Sequence, residues 1–479
     1  MSKRNTHLAK KLIVLGGGCA GLATAWRLAK NVYEVHLFEE ATRVGGLAGG
    51  VEINGNVYEY GPHAFHTTDP EILSDIKSIM RDDLITYKRT IKIKFLGNYF
   101  NFPLTIHEVI FKLPVFTVVH AFASLIWNMI KGFFWKPKVE NSETLLIRYY
   151  GQVLYKLFFK DFIIRVWGIP PSDFSPSFAR ERIPRLDFIK IIEFVLAPLR
   201  HRLKKNTKTN HYVEKVEGNL YTTKRGFSLI TERMAEAVAQ HGGKIHLKTS
   251  VTKIKREGDR IRSVEVVSRA KGVSEVECDG LINTLPINEA VLMTTPSFEE
   301  PVIQAARQLK FRALVFVGLV VNRPKVLMTS FMYFRDHSFN RLTDLSQFGF
   351  EIEPKGSTIV VGEISCSVND RYWTDDAFAT EVVVWDLERE GILKRDEILH
   401  THVFRAEHAY PIYTLHYETA LETLLNTIDK SENWETAGRQ GRFQYINTHI
   451  AMKMGYEAAD RLMAKLGSRK TSEKVYEKV

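Results

Sequence analysis

The run Lys11-Leu12-Ile13-Val14-Leu15-Gly16-Gly17-Gly18-Cys19-Ala20-Gly21 lies near the start of a chain of 479 residues. Residues 11–15 predict a short buried strand, and the apolar residues of 22–30 recur at helical spacing. The glycines between them match the pattern G-x-G-x-x-G. Gly16 permits a tight turn, Gly18 lets the backbone approach a pyrophosphate, and Gly21 lets the helix pack against the strand. The free N–H groups at the start of such a helix favour phosphate binding.

A second predicted strand, over 34–39, and the residues after it indicate which dinucleotide binds. Glu39 stands where a carboxylate can accept hydrogen bonds from ribose hydroxyls. The segment that begins at Glu39 reads E-x-x-x-R-x-G-G, in which Gly45 and Gly46 let the backbone lie near the pyrophosphate and Arg43 offers it charge-assisted hydrogen bonds. Plain nicotinamide dehydrogenases lack this extension. The sequence therefore predicts FAD rather than NAD, held without a covalent bond because no Cys or His is placed to form one.

Turn and cap signals divide the rest of the chain into elements. Asn54-Gly55, between alternating apolar residues, predicts a hairpin over 50–60, and Gly97-Asn98 predicts a second hairpin. Asp69-Pro70 predicts the start of a helix. The residue patterns of three longer segments each predict one kind of structure. They predict helices in the aromatic-rich segment 104–210, mainly strands at 311–365, and a final helix at 446–466.

Several segments resemble a known group of flavoenzymes. The E-x-x-x-R-x-G-G segment is similar to that of the flavin amine oxidase and protoporphyrinogen oxidase superfamily. Gly61-Pro62-His63-Ala64-Phe65-His66-Thr67 resembles a segment of the UDP-galactopyranose mutases that lies against the flavin ring. Further matches follow in chain order over nearly the whole sequence, at Phe102-Pro103-Leu104, Tyr155 to Gly168, Arg182-Ile183-Pro184, Gly438-Arg439 and Tyr445.

The resemblance implies an α/β fold with a Rossmann-like FAD-binding domain of the GR2 type, a mixed β-sheet substrate domain and a helical insertion. We expect the active site where these parts meet the flavin ring. The predicted boundaries are 8–85, 215–300 and 430–467 for the FAD-binding domain, 86–214 for the helical insertion, 301–429 for the strand-rich substrate domain, and 468–479 for a charged tail.

The resemblance also implies roles for individual residues. The tryptophan that matches Trp167 stacks on uracil in the mutases, and the arginine that matches Arg182 contacts the phosphates of the substrate. The segment that matches Gly438-Arg439 approaches the flavin and the sugar, so Arg439 is a candidate catalytic residue as well as a flavin contact. Three further flavin contacts are implied at Gly61, Pro62 and Tyr445.

The chain departs from the mutases at two places. Ile446-Asn447 follows Tyr445, where the mutases have a second tyrosine and an aspartate. The arginine that follows R-I-P is shifted to Arg185. Both departures argue against UDP-galactose as the substrate. The whole chain is more similar to a broader group of FAD-dependent oxidoreductase-like proteins that accompany polysaccharide or cell-envelope biosynthesis.

His63 and His66 are candidate catalytic residues because imidazoles beside a flavin can move protons near neutral pH. The alternative is that they only hydrogen-bond the backbone of a tight loop. No Ser-His-Asp order, metal-ligand cluster or phosphate-transfer loop competes with the flavin interpretation, so we expect no metal.

The most apolar stretch runs from Val109 to Trp135. A single membrane crossing there would separate the glycine-rich turn from the late flavin-contacting segment, although both must reach one FAD. Two interpretations remain open, a buried helix of the insertion, which is preferred, and a monotopic anchor that dips into one leaflet. Peripheral membrane contact through 109–135 is therefore an alternative prediction.

Charge and cysteine usage restrict the partners and the compartment. Lys plus Arg number 66 against 55 Asp plus Glu, and part of the excess lies in the first eleven residues and at 200–205. Such a balance favours an anionic, phosphorylated small molecule, and no zinc-finger or aromatic signature supports nucleic acid. Cys19, Cys278 and Cys366 form no C-x-x-C pattern, which favours a reducing compartment, the cytoplasm. The oligomeric state stays open.

Three functions follow from these predictions, in order of preference. The first is an FAD-dependent oxidoreductase acting on a nucleotide-sugar or another phosphorylated precursor. The second is a mutase-like isomerase, in which reduced flavin attacks an anomeric carbon and expels the nucleoside diphosphate, so that the sugar ring can contract without net redox change. The third is a non-catalytic flavin-bound partner in an envelope-assembly complex.

Overall fold

The computed structural model of the protein describes residues 9–102, 106–134, 139–183 and 218–473. Within these ranges the fold is mixed α/β, as predicted. The sequence predictions that fall outside the described residues are those at Pro103-Leu104, Trp135, Pro184, Arg185 and the basic run 200–205.

A parallel sheet of five strands is built around Lys11–Leu15. This strand pairs with Glu34–Phe38, to which the helix Cys19–Lys30 connects it, so the predicted strand–turn–helix–strand unit is present. All four pairings of the sheet are parallel. From one edge to the other, the strands are Trp434–Thr436, Gly280–Asn283, Lys11–Leu15, Glu34–Phe38 and Lys244–His246.

The central strand and its helix meet at two glycines. Gly16 has φ +92°, a left-handed conformation that glycine adopts without strain. A Cβ built on Gly21 would lie 1.9 Å from the carbonyl oxygen of Gly16, so any larger residue would force the helix away from the strand. The close packing that we predicted for Gly21 is therefore present.

The C-terminal helix Thr448–Glu473 packs on the N-terminal helix Cys19–Lys30. Thr24 Oγ1 donates a hydrogen bond of 3.1 Å to the carbonyl oxygen of Gly455, and a Cβ on Gly455 would lie 2.4 Å from the carbonyl oxygen of Ala20. Both ends of the sequence thus contribute to one layer. The predicted helix end at 466 is wrong, since the helix continues into the predicted tail as far as Glu473. No proline stands among these residues to end it earlier.

A seven-stranded mixed sheet forms the second large layer. The hairpin Ile91–Phe95 and Asn98–Asn101 extends it, although 86–214 was predicted as a helical insertion. The turn of this hairpin lies one residue earlier than predicted, since Leu96 and Gly97 have the positive φ values. The division into domains stays a prediction. In spatial order the strands are Ile398–Ile412, Lys310–Val321, Thr358–Cys366, Arg341–Asp344, Phe331–Phe334, Ile91–Phe95 and Asn98–Asn101.

Smaller sheets connect these layers. Asn54 and Gly55 have positive φ and form the predicted turn of the first hairpin. Asn433, which is fully buried, bonds the N–H and the carbonyl oxygen of Ile261, each at 2.8 Å, and thereby ties a four-stranded sheet to the parallel sheet. The smaller sheets comprise Gly50–Ile53 with Asn56–Glu59, Ile85–Thr86 with Tyr221–Thr222, and the sheet of Gly272–Glu277, Arg260–Ser268, Thr249–Glu257 and Thr294–Thr295.

Helices cover the sheets and form the insertion. Asp69 caps one of them as predicted, since its carboxylate accepts hydrogen bonds from the N–H groups of Glu71 and Ile72 at 3.1 and 3.2 Å. Besides Cys19–Lys30 and Thr448–Glu473, the α-helices of the described residues are Pro70–Met80, Ile106–Lys112, Val115–Phe134, Ser142–Leu154, Asp161–Trp167, Pro176–Arg182, Ser228–Gln240, Ile287–Leu292, Glu300–Gln308, Arg371–Thr374, Asp376–Arg389, Tyr417–Asp429 and Gly438–Gly441.

The apolar stretch at 109–135 is not a buried helix. Its described part forms the end of Ile106–Lys112 and then Val115–Phe134, and among the described side chains only one face of the second helix is covered. Ala121 and Leu125 are buried, whereas Phe116 and Trp127 are 89% and 66% exposed. No helix in the described part of the chain is long and apolar enough to cross a membrane.

Candidate functional site

A large cleft lies at the carboxyl ends of the strands of the parallel sheet. Because the strands are parallel, the residues that follow their carboxyl ends lie on the same side of the sheet, next to this cleft. Gly16, Glu39, Thr284 and Gly438 follow four different strands, and all four line a cleft of about 1230 Å³. This volume exceeds the roughly 300–1,000 Å³ of an ordinary ligand pocket. The cleft therefore has room for a dinucleotide together with a small substrate.

The glycine-rich turn forms one wall of this cleft. Gly18 and Gly45 form a parallel bridge, and the N–H of Gly45 donates a hydrogen bond of 2.8 Å to the carbonyl oxygen of Gly17. A Cβ on Gly18 would meet no atom nearer than 4.0 Å, although one on Gly46 would lie 3.2 Å from the Cα of Gly18. The space beside Gly18 is thus open cleft, as a bound pyrophosphate requires.

Glu39 is fixed at the same wall by two backbone donors. Its carboxylate accepts hydrogen bonds from the N–H groups of Gly17 at 2.7 Å and Ala41 at 2.9 Å. Burial raises the pKa of Glu39, and these two hydrogen bonds lower it in part. The lone pairs that remain can accept hydrogen bonds from ribose hydroxyls.

Arg43 lines the cleft, but its guanidinium is held by acidic side chains. It forms ion pairs with Glu52 and with Glu232. The predicted contact between Arg43 and the pyrophosphate would have to form beside these ion pairs, and it stays a prediction.

Gly61 packs closely against the ion pair of Arg341 and Glu363. Gly61 has φ +102°, and a Cβ on it would lie 2.9 Å from Arg341 Nη2. Arg341 donates to Glu363 through Nε at 2.6 Å and through Nη2 at 2.7 Å. Burial lowers the pKa of Arg341, but the carboxylate of Glu363 outweighs it and raises that pKa well above its ordinary value. Arg341 and Pro62 both line the cleft. The loop of Gly61 and Pro62 therefore rests against the positively charged guanidinium of Arg341.

His63 and His66 both line the cleft but differ in surroundings. Burial, together with the positive charges of Arg341 and Arg439, lowers the pKa of His63 to about 3. Its imidazole is therefore neutral at physiological pH, and its part in proton transfer beside the flavin stays a prediction. His63 Nδ1 is buried with no hydrogen-bond partner among the described residues. The ring of His66 lies 4.5 Å from that of His449, centroid to centroid.

Three of the predicted residues form a stack at the far end of the cleft. The guanidinium carbons of Arg182 and Arg439 lie 3.3 and 3.9 Å from the ring centroid of Tyr445. Two guanidinium groups can approach one ring this closely only on its opposite faces. Arg439 also lies 5.3 Å from the ring centroid of Tyr410. We call Arg182, Tyr445, Arg439 and Tyr410 the arginine–tyrosine stack.

Arg439 is the member of the stack whose buried donors lack a hydrogen-bond partner among the described residues. Its Nε and Nη2 atoms are buried and bond to no atom of the described residues. Arg439, Tyr445 and Tyr410 all line the cleft. A buried guanidinium without an acceptor is costly, which favours an anionic or polar ligand at this place.

Trp167 and Arg182 are not among the residues that line this cleft. Trp167 is only 8% exposed, with its ring centroid 4.8 Å from that of Phe178 and 6.2 Å from that of Tyr410. The guanidinium carbon of Arg182 lies 5.5 Å from the ring centroid of Trp167. Trp167 thus packs against Arg182 and Tyr410 of the stack, and the contact of Trp167 and Arg182 with substrate stays a prediction.

A family model described as flavin containing amine oxidoreductase matches residues 19–462. The chain belongs to this family. FAD is therefore its cofactor, and the open space beside Gly18 and the fixed carboxylate of Glu39 fit a bound dinucleotide. Which residues hold it stays a proposal.

Individual relatives of this flavoprotein include sugar mutases. The chain is 24% identical over 235 residues to a probable UDP-galactopyranose mutase of Klebsiella pneumoniae, covering 48% of this chain and 53% of the relative. It is 24% identical over 177 residues to a dTDP-fucopyranose mutase of Escherichia coli, covering 36% of this chain and 46% of that protein. The matches thus span about half the length of these curated relatives.

Among solved structures, a reduced UDP-galactopyranose mutase superposes with a TM-score of 0.79. The identity is 19%, and the superposition covers 95% of this chain and 94% of that one. This likeness confirms the predicted fold class.

Sequence reasoning missed three residues that shape the site. Arg341, Glu363 and Tyr410 come from separate strands of the seven-stranded sheet and meet only in the folded chain. Glu363 had a detectable signal, since it is the only charged residue of the buried strand Thr358–Cys366. Arg341 and Tyr410 lie on strands of mixed polarity that give no comparable signal.

Glu59 is a further buried acid next to the site. It is 1% exposed and accepts hydrogen bonds from the N–H groups of Phe227 at 2.5 Å and His63 at 3.4 Å. Burial raises the pKa of Glu59 to about 8. The carboxyl therefore stays protonated in the folded protein at pH values where the unfolded chain has lost that proton.

We expect Gly18→Val to abolish FAD binding without unfolding the protein, because the new side chain would occupy open cleft rather than meet protein atoms. The purified variant should be colourless and should not take up added FAD, while its circular dichroism matches that of the wild type. Gly467→Val is the control, since a Cβ there also meets nothing within 4 Å but lies far along the C-terminal helix. A Gly18→Val protein with stoichiometric FAD would overturn the assignment of this wall.

We expect the free energy of unfolding to fall as the pH rises from about 4.5 to about 8, since the folded state keeps the Glu59 proton that the unfolded state loses. This one group contributes at most about 1.4 kcal/mol per pH unit in that window. Glu59→Gln should flatten the slope, as measured by urea unfolding at several pH values. An unchanged slope in the variant would show that Glu59 is ionised in the folded protein.

Proposed function

We propose that this flavoprotein isomerises a nucleotide-sugar whose diphosphate binds at the arginine–tyrosine stack. The observation that carries the proposal is the approach of Arg182 and Arg439 to opposite faces of Tyr445, beside the flavin cleft. Guanidinium groups match the geometry of phosphate oxygens, and two of them near one site favour a doubly charged group.

The charge distribution around the stack supports this proposal. Arg439 carries buried donors with no acceptor among the described residues, and Arg341 adds another cation at the cleft wall. The carboxylate of Glu363 already compensates Arg341, whereas the donors of Arg439 still need an acceptor. An anion at the stack would supply it, in agreement with the net charge of +11.

The names of the curated relatives support a nucleotide-sugar in particular. The two mutases reported above act, by name, on UDP-galactopyranose and dTDP-fucopyranose. We propose the same class of substrate for this chain and leave the sugar open, because Ile446 replaces the second tyrosine of the mutase pattern.

Within this proposal, each part of the site has a distinct task. Bound FAD supplies the reactivity, either as a nucleophile when reduced or as a hydride acceptor when oxidised. The stack holds and orients the diphosphate, which places the sugar toward the loop of Gly61 and Pro62. His63 contributes a neutral imidazole that can donate or accept one hydrogen bond at the sugar.

Net oxidation of the nucleotide-sugar is the second candidate. It is favoured by the Ile446-Asn447 departure from the mutases, since a changed phosphate site can hold the sugar in a different position. The two candidates share the substrate class and the stack but differ in whether electrons leave the substrate.

A panel of nucleotide-sugars distinguishes the two reactions. For isomerisation, the enzyme is reduced with dithionite, incubated with UDP- and dTDP-hexopyranoses, and the furanose products are separated by chromatography. For oxidation, each compound is mixed anaerobically with the oxidised enzyme, and bleaching of the flavin absorbance is followed. Gly18→Val protein serves as the blank. If no compound isomerises, bleaches the flavin or binds, the nucleotide-sugar proposal is wrong.

We expect Arg182→Ala to weaken nucleotide-sugar binding by roughly ten- to hundredfold, because a lost charge-assisted hydrogen bond costs about 1.5–3 kcal/mol. The flavin spectrum of the free enzyme should not change. Arg182→Lys should recover only part of the affinity, because an ammonium group cannot bind two oxygens in one plane.

Arg180→Ala is the matched control for this substitution. Arg180 lies on the same helix, Pro176–Arg182, but pairs with Glu140 at the surface. Titration of both variants with the best compound of the panel gives the comparison. Equal affinity of Arg182→Ala and wild type would show that the diphosphate binds elsewhere.

A further inference from the structure

The helix Val115–Phe134 carries an apolar stripe on the side that faces away from the protein. Large side chains recur on this side at the spacing of one helical face, and each is about half exposed or more. They are Phe116 (89%), Val119 (61%), Ile126 (56%), Trp127 (66%), Ile130 (48%) and Phe134 (79%). Exposed apolar patches of this kind mark interaction surfaces in soluble proteins. We call these six residues the apolar stripe.

The opposite face of the same helix is firmly packed. Leu125 is 4% exposed, and a Cβ on Gly151 of the helix Ser142–Leu154 would lie 2.9 Å from the backbone nitrogen of Leu125. The N–H of Val153 donates a hydrogen bond of 3.3 Å to Ser124 Oγ. The helix is therefore held at a defined orientation, and the stripe lies on its exposed side in the described part of the chain.

The charge pattern around the stripe selects one kind of partner. The 31 residues from Val109 to Val139 contain no Asp or Glu but contain Lys112, Lys131, Lys136 and Lys138. Lys131 is exposed and lies one helical turn from both Trp127 and Phe134. Lysines beside tryptophan and phenylalanine are typical of helices that lie in the headgroup region of an anionic bilayer.

We propose that the apolar stripe docks this enzyme on the surface of a membrane that contains anionic phospholipids. The helix has 20 residues, so at 1.5 Å per residue it would lie along about 30 Å of the interface rather than cross it. The stripe enters the boundary between headgroups and acyl chains, and Lys131 contacts lipid phosphates. A second copy of the chain fits less well, because the face offers no acidic residue to pair with its lysines.

The test is vesicle co-sedimentation of the FAD-loaded protein. Wild-type protein should pellet with vesicles of phosphatidylcholine and phosphatidylglycerol, and more weakly with phosphatidylcholine alone. The triple variant Phe116→Ser, Trp127→Ser, Phe134→Ser should bind roughly tenfold less or weaker, because three large apolar groups no longer enter the bilayer. Lys131→Glu should reduce binding to the anionic vesicles about fivefold or more, and high salt should reduce wild-type binding.

Controls separate membrane docking from misfolding and from self-association. Met328→Ser with Trp385→Ser removes two exposed apolar side chains elsewhere, and this variant should bind vesicles like the wild type. Flavin absorbance checks that every variant is folded. Wild-type protein that stays in the supernatant overturns the proposal, and light scattering then shows whether a second copy covers the stripe. Undiminished vesicle binding by the triple variant would overturn it as well.

Discussion

The fold depends on how closely the helix Cys19–Lys30 approaches the strand Lys11–Leu15. At Gly21 the helix lies so near the carbonyl oxygen of Gly16 that a methyl group has no space. This contact directs the start of the helix toward the open space beside Gly18. The C-terminal helix then packs on the same helix through Gly455, so the wall of the cleft requires both ends of the chain.

Two different electrostatic environments share the cleft. At the glycine-rich wall, carboxylates dominate, since Glu39 is held by backbone donors and Arg43 is neutralised by Glu52 and Glu232. At the arginine–tyrosine stack, cations predominate, and their field helps to keep His63 neutral. The carboxylate of Glu39 is placed for the ribose of FAD, whereas the space beside Gly18 is left for its pyrophosphate. The anionic substrate that we propose would bind at the cationic stack.

The chain shares its framework with a solved sugar mutase but departs from the mutase pattern in the lining of the cleft. The superposition with a UDP-galactopyranose mutase covers nearly the whole chain, so the framework is shared. Ile446, by contrast, lines the cleft directly after the tyrosine of the stack. One fold can host different functions when the residues that line its site differ.

The sequence by itself determined the parallel FAD-binding unit, because its signals are local. Glycines at 16, 18 and 21, a carboxylate at 39 and turn residues at 54 and 55 act through backbone geometry within a few residues. The resemblance to the mutases added Arg182, Arg439 and Tyr445, and the fold brings these three together.

Only the tertiary structure decided three other features. The pKa of His63 depends on burial and on Arg341 and Arg439, which are distant in sequence. The pairing of Arg341 with Glu363 below Gly61 joins two strands and a loop that no local pattern links. The apolar helix was expected inside because its composition is apolar, yet its described neighbours cover one face only. The amino-acid composition of a segment shows which side chains favour burial. The packing of segments distant in sequence determines which of those side chains are buried.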